Sequence, residues 1–219
     1  IDGQSSLFQE AFRRLTGEGH LEVAGLGGAS KALLLSFLRQ SSGGPVLAIT
    51  ANPNEAEELA DDLLELMEQG HHFQAWDVMP YESSPPSVEV MASRMETIDA
   101  LARGGSPVVV TTIRALLQRT MPIDVLRRKT VHLAVGASIS RQELIGRLVD
   151  LGFERLPLVE ETGQFSIRGG IVDIFPHGCD HPYRVELFGD QIESIRQFDV
   201  FSQRSIAQKK EAAILPRRE

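Results

Sequence analysis

The rhythm of apolar and polar positions changes near residue 130. Before it, short unbroken apolar runs alternate with stretches of helical spacing. Pro45–Thr50 and Pro107–Thr112 are apolar runs of the kind found in buried parallel strands. Leu21–Ala24 reads as a further strand, and Phe73–Trp76 as a short one. Lys31–Leu38 reads as an apolar helix. Ala56, Leu59, Ala60, Leu63, Leu64 and Met67 fall on one helical face, with Asn52 or Asn54 able to cap its start. Val88, Met91, Met95, Ile98 and Ala102 line another helix, and Arg114–Gln118 a short one. Strands alternating with helices predict right-handed crossovers and a parallel sheet covered on both faces. The expectation for residues 1–129 is therefore an α/β layer of the P-loop-like or Rossmann-like kind.

After residue 130 the period shortens to two. Thr130–Val135 reads as a strand. Ser140-Arg141-Gln142-Glu143 is a capping box opening a helix that carries Leu144, Leu148 and Leu151, and Gly152 ends it. From Phe153 onward short alternating strands dominate. They are punctuated by Gly169-Gly170 and by Gly189-Asp190, which suits a two-residue hairpin turn. Residues 130–219 are expected to form a smaller α+β domain rich in antiparallel strands.

Composition narrows the class. The 219 residues are 42% hydrophobic, enough for a proper core, and no apolar run approaches the length of a bilayer span. The single cysteine, Cys179, excludes an internal disulfide and a thiolate zinc cluster, and points to a cytosolic setting. A formal charge of -8 disfavours strong non-specific nucleic-acid binding, although a local basic patch is compatible with it. Ile1–Gln4 lacks the features of a signal peptide and an initiator Met, and Pro216–Glu219 does not read as a finished terminus. A piece of a longer protein is expected.

Several constellations resemble sites. Gly25-Leu26-Gly27-Gly28-Ala29-Ser30-Lys31-Ala32 stands between a predicted strand and a helix, where a phosphate loop belongs. Ser30 replaces the second glycine of the working pattern, and Ala32 replaces the magnesium-binding hydroxyl. With Lys31 alone retained, Gly25, Ser30, Lys31 and Ala32 are expected to form an inactive loop that caps a helix. His71-His72 would point to opposite faces of a strand and cannot easily chelate one ion, so a solvated strand entrance is expected. Glu55, Glu57, Glu58, Asp61 and Asp62 read as a solvated helix face. Tyr81 either stacks a base or closes the core, and the core reading is favoured. Neither a metal set nor a Ser/His/Asp set can be argued from the spacing.

The strands after residue 160 hold the most pointed feature. In Phe165–Arg168, Ser166 and Arg168 share a face. In Tyr183–Phe188, Arg184, Glu186 and Phe188 share one. Phe188 is thus an aromatic on a charged face. Either it anchors an interface beside arginine, or it tucks under a loop while Arg184 pairs with Glu186 or Asp173.

At these residues, Phe165–Pro176 and Arg184–Asp190, continuing through Ile192–Asp199, the chain resembles the module shared by UvrB and the transcription-repair coupling factors (the Mfd family). Trp76–Tyr81 and Ser93-Arg94 extend the likeness over most of the chain. The degraded loop at 25–32 favours the coupling factors, because the UvrB loop is intact and binds ATP. So does the short spacer Glu82–Ser87, which leaves no room for the DNA-clamping hairpin of UvrB. The alternative is a fragment of a UvrB-like, ATP-dependent damaged-DNA-binding protein. The resemblance implies a non-catalytic module whose second domain recruits UvrA through Arg168, Arg184 and Phe188. It also implies a full-length protein that continues into RNA polymerase binding and an ATP-driven double-stranded DNA translocase. ATP and magnesium would belong to that motor, and no cofactor or metal to this segment. The strands that complete the first domain's sheet are expected to lie outside it. That Arg168 shares its face with Arg184 and Phe188 is carried by the resemblance, because strand pairing is not fixed by one sequence.

Overall fold

A computed structural model describes all residues except 1–8, 11–12, 16, 18, 67–69, 80, 82–83 and 219. Met67, expected on a helix face, lies outside the described residues. The chain divides into two compact units, residues 1–76 with 97–119, and residues 77–96 with 120–219.

The first unit is the parallel layer. Helix α1 (Ser30–Ser42) leads into strand β1 (Val46–Thr50), helix α2 (Pro53–Leu66) and strand β2 (Gly70–Phe73). Helix α3 (Val88–Ala102) belongs to this unit only from Thr97 onward, and strand β3 (Val108–Thr112) and the short helix α4 (Ile113–Leu116) follow. The sheet order is β1-β3-β2, with both pairings parallel. Every residue of the central strand β3 is buried, which is why it reads as an unbroken apolar run. Asn52 caps α2 as expected, its Oδ1 accepting from the Glu55 amide at 3.0 Å.

Two expectations for this layer are corrected. Leu21–Ala24 forms no strand; its residues are largely exposed and pair with no neighbouring strand. The second face of the sheet is covered only in part, Val109 and Thr111 of β3 being buried there. Ala32, Ala56, Leu59, Ala60 and Leu63 from α1 and α2 seal one side against Val108 and Val110, while Leu47 and Ile49 of β1 stay about half exposed on the other.

The second unit holds helix α5 (Ile123–Lys129), strand β4 (Val131–Ala134) and helix α6 (Arg141–Asp150). Helix α5 follows Pro122 and was not anticipated from the apolar pattern. Half of the α6 capping box forms: Ser140 Oγ accepts from the Glu143 amide at 3.1 Å, while the Glu143 carboxylate pairs with Arg147 at 2.7 Å. A six-stranded sheet follows: β5 (Glu154–Arg155), β6 (Gln164–Arg168), β7 (Ile171–Phe175), β8 (Tyr183–Phe188), β9 (Gln191–Phe198) and β10 (Ser205–Lys209), paired in sequence order. All pairs are antiparallel except β5 with β6. Strand β11 (Glu211–Ile214) returns to pair with β4.

The core of this unit lies on the inner sheet face. Phe165, Val172, Ile174, Val185, Ile192 and Ile195 pack against Leu144 and Leu148 of α6 and against Val131, Leu133 and Ile214 of the β4–β11 ribbon. The double glycine has a steric cause. Gly169 takes a left-handed φ of 62° in the β6–β7 turn. A Cβ on Gly170 would stand 2.6 Å from the Leu187 carbonyl oxygen, whose own amide donates to Gly170 O at 2.8 Å.

Candidate functional site

The outer face of this sheet gathers the polar residues that alternation turns away from the core. The register sets Ser166 opposite Asp173, Asp173 opposite Arg184, and Arg184 opposite Arg196. One row of side chains thus crosses four strands. The adjacent row runs from Arg168 through Ile171 and Glu186 to Ser194. Pairing therefore places Arg168 and Arg184 on one face, as sequence alternation alone could not. Phe188 follows Glu186 by two on the same strand, and a bulge opposite Glu186 and Leu187 leaves the alternation of β8 itself intact.

Asp173 is the hub, with 1% of its side chain exposed. It accepts from Arg184 twice, Nε to Oδ1 at 2.7 Å and Nη2 to Oδ2 at 2.9 Å, and from Arg168 Nη2 at 2.6 Å. A buried carboxylate needs such partners, because an unpaired charge in a dry interior is expensive. Arg184 is bound further. Its Nη1 donates to Gln203 O at 3.3 Å and its Nη2 to Gln203 Oε1 at 3.0 Å. Its guanidinium lies 4.1 Å from the centroid of the buried Phe198 ring. Four of the five guanidinium N–H groups are thereby used. Beside this cluster Arg196 pairs with Glu186, which also accepts from Ser194 Oγ at 2.6 Å.

The two arginines therefore differ in kind. Arg184 is 14% exposed and is a strut, whereas Arg168 is 46% exposed and makes one charged contact. Within the cluster three arginines, Arg168, Arg184 and Arg196, meet two carboxylates, Asp173 and Glu186. One positive charge is left over, on an otherwise acidic chain. Phe188 is 78% exposed, so it does not tuck under a loop. Arg184 does pair with Asp173, so each half of the alternative weighed from sequence meets a different fate. Gln203 and Phe198 carried no sequence signal. Asp173 did carry one, as a lone carboxylate inside the apolar run Ile171–Phe175.

The glycine loop before α1 is arranged differently. Gly25 and Gly28 take left-handed φ values of 80° and 51°. The Ser30 and Lys31 amides donate to Gly27 O and Gly28 O, and Ser30 Oγ donates to Gly27 O at 2.7 Å. Ala32 is fully buried against α2 and β3, and Lys31 is exposed. The Ser30 and Lys31 amides and the Ser30 hydroxyl are thus used within the loop.

Other expected features fall as follows. His71 and His72 lie within β2 opposite Val109 and Val110, hence on opposite faces. They are half buried rather than at a solvated entrance, and burial pushes both imidazoles below the ordinary histidine range. Tyr81 is 98% exposed, which overturns the core reading. Its loop is closed instead by Asp77 Oδ1, which accepts from the Ser87 amide at 2.9 Å and is held below the usual aspartate range by that bond. The acidic residues of α2 are mostly exposed, as expected. No group of three or more potential metal ligands occurs among the described residues, and no described helix is long and apolar enough to cross a membrane.

A six-stranded sheet backed by one helix and a two-stranded ribbon, with this polar face, coincides with a known family: residues 131–219 match the UvrB interaction domain. Over most of its length the chain is similar to transcription-repair-coupling factors. It is 35% identical to that of Bacillus subtilis over 84% of this chain, and 34% identical to that of Myxococcus xanthus over 97%. To that of Staphylococcus aureus strain USA300 it is 34% identical over 90%. The chain thus holds a UvrB interaction domain and is similar to one region of the transcription-repair-coupling factors. It spans less than a fifth of the length of these relatives, 16%, 18% and 17% respectively.

Proposed function

We propose that this region is a non-catalytic recruiting module that binds UvrA and so brings nucleotide excision repair to stalled transcription. The observation that carries the reading is the outer sheet face within residues 131–219. There an exposed Phe188 stands on the same face as a cluster with one surplus positive charge, whose accessible end is Arg168. Phe188 would supply a desolvated anchor and Arg168 a contact to a carboxylate on UvrA. Arg184 would act mainly by holding Asp173 and the face in place. Residues 130–219 would form the UvrA-binding domain, and residues 1–129 a UvrB-like layer with a degenerate P-loop, cytoplasmic and without nucleotide or metal. The full-length protein would add RNA polymerase binding and ATP-driven translocation on double-stranded DNA. Co-elution of this chain with purified UvrA in size-exclusion chromatography tests the reading. A complex is expected, and separate elution at micromolar concentrations would refute it.

A further inference from the structure

The segment joining β9 to β10 is a turn built almost entirely from internal hydrogen bonds. Asp199 Oδ1 accepts from the Ser202 amide at 2.7 Å, and Asp199 O accepts from the Gln203 amide at 2.8 Å. The Asp199 amide donates to Arg204 O at 2.9 Å, and Gln203 Nε2 donates to Val200 O at 2.8 Å. Gln203 has a φ of 59°, and among the described residues it is the only one other than glycine in the left-handed region. Such a conformation persists where the surroundings over-determine it. Here Arg184 does so, binding both the Gln203 carbonyl and its side-chain oxygen. The turn is therefore tied to the outer sheet face through Arg184 and, behind it, Asp173.

At the tip of this turn Phe201 is 97% exposed. A lone exposed aromatic is ordinary. This one is held on a fixed turn hydrogen-bonded to the same cluster that carries Arg168. The turn lies at the Arg184 end of β8, and Phe188 lies at the other end, about 13 Å along the strand from Arg184 at ~3.3 Å per residue. An interface side of about 800 Å² is wide enough to take in both ends.

We infer that Phe201 is a second aromatic anchor of the partner-binding surface, positioned by Gln203, and that the fitting partner surface offers two apolar pockets and a carboxylate for Arg168. The inference rests on the UvrA reading above. A rigid turn suits this role because little ordering entropy is lost when it docks.

Calorimetric titration of purified UvrA with the wild-type chain, Phe201→Ala, Phe201→Tyr and Phe188→Ala tests it, with thermal unfolding of each variant alongside. Phe201→Ala is expected to weaken binding at least tenfold with an unchanged unfolding midpoint, and Phe201→Tyr to restore most of the affinity. If Phe201→Ala binds like wild type while Phe188→Ala loses affinity, the second anchor is refuted and the UvrA reading stands. If the wild-type chain does not bind, both fall.

Discussion

The glycine loop before α1 and the outer face of the six-stranded sheet begin from similar material. Each sets a cation beside glycines, Lys31 after Gly27-Gly28 and Arg168 before Gly169-Gly170. In the loop, the amides and hydroxyl at the helix start turn inward to Gly27 and Gly28 carbonyls, and the next position is a buried alanine. On the sheet, internal pairing is deep but unbalanced, because one buried carboxylate serves two arginines. The lesson is that a motif's chemistry depends on what its groups have left over after folding. A surplus charge beside an exposed aromatic is available to a partner.

The largest expected effect separates these regions by stability. Asp173→Ala leaves two arginines facing each other without their buried counter-ion, and should destabilise the second unit by about 3 kcal/mol or more. Ser30→Ala in the loop removes one partly exposed hydrogen bond and should cost about 1 kcal/mol or less. Urea denaturation of both variants makes the comparison, and equal effects would break it.

The next test divides the arginines. Arg184→Ala should lower stability by about 2 kcal/mol, because it removes two hydrogen bonds to the buried Asp173 carboxylate and two to Gln203, while Arg168 still pairs with Asp173. Arg168→Ala should cost less than 1 kcal/mol in stability and weaken UvrA binding more at low salt than at high. Thermal melts and titrations at two salt concentrations resolve the pair; identical melts would show that Arg184 is not a strut.

A smaller effect concerns pH in the parallel layer. Burial lowers the pKa of His71, and of His72 despite Glu57 and Asp61 nearby. Below the unfolded value of about 6.5 the unfolded chain binds protons that the folded chain resists. Stability contributed by the neutral imidazoles is thus complete above about pH 6.5, and is lost as pH falls toward the depressed folded values. The double change His71→Gln, His72→Gln should flatten the unfolding midpoint between pH 7 and pH 5.5; an unaltered slope would place the dependence elsewhere. The smallest expected effect is none: magnesium and ATP should leave the thermal midpoint of this chain unmoved, whereas a saturable rise would assign a nucleotide role to the loop.

Much of this was legible in the chain because local physics decides it. The alternation in Tyr183–Phe188, the N-cap at Ser140 and the turns at Gly169 and Gly189 each follow from a few neighbouring residues. What failed depends on partners distant in sequence. Leu21–Ala24 has strand composition, but no neighbouring strand pairs with it. Tyr81 has the size of a core residue, but its loop closes through Asp77 and Ser87 and leaves it in solvent. The site shows the same boundary. Arg168, Arg184 and Phe188 could be singled out one by one, but the hub at Asp173 and the brace at Gln203 exist only once four strands and a turn are brought together.

Recognition of UvrA, as we propose it, resides in the outer sheet face. Its most direct test is calorimetric titration of purified UvrA with the double variant Arg168→Ala, Phe188→Ala, after its folded state is verified by a single cooperative melting transition. Binding is expected to fall by about two orders of magnitude, near 3 kcal/mol. Wild-type affinity in the double variant would contradict it.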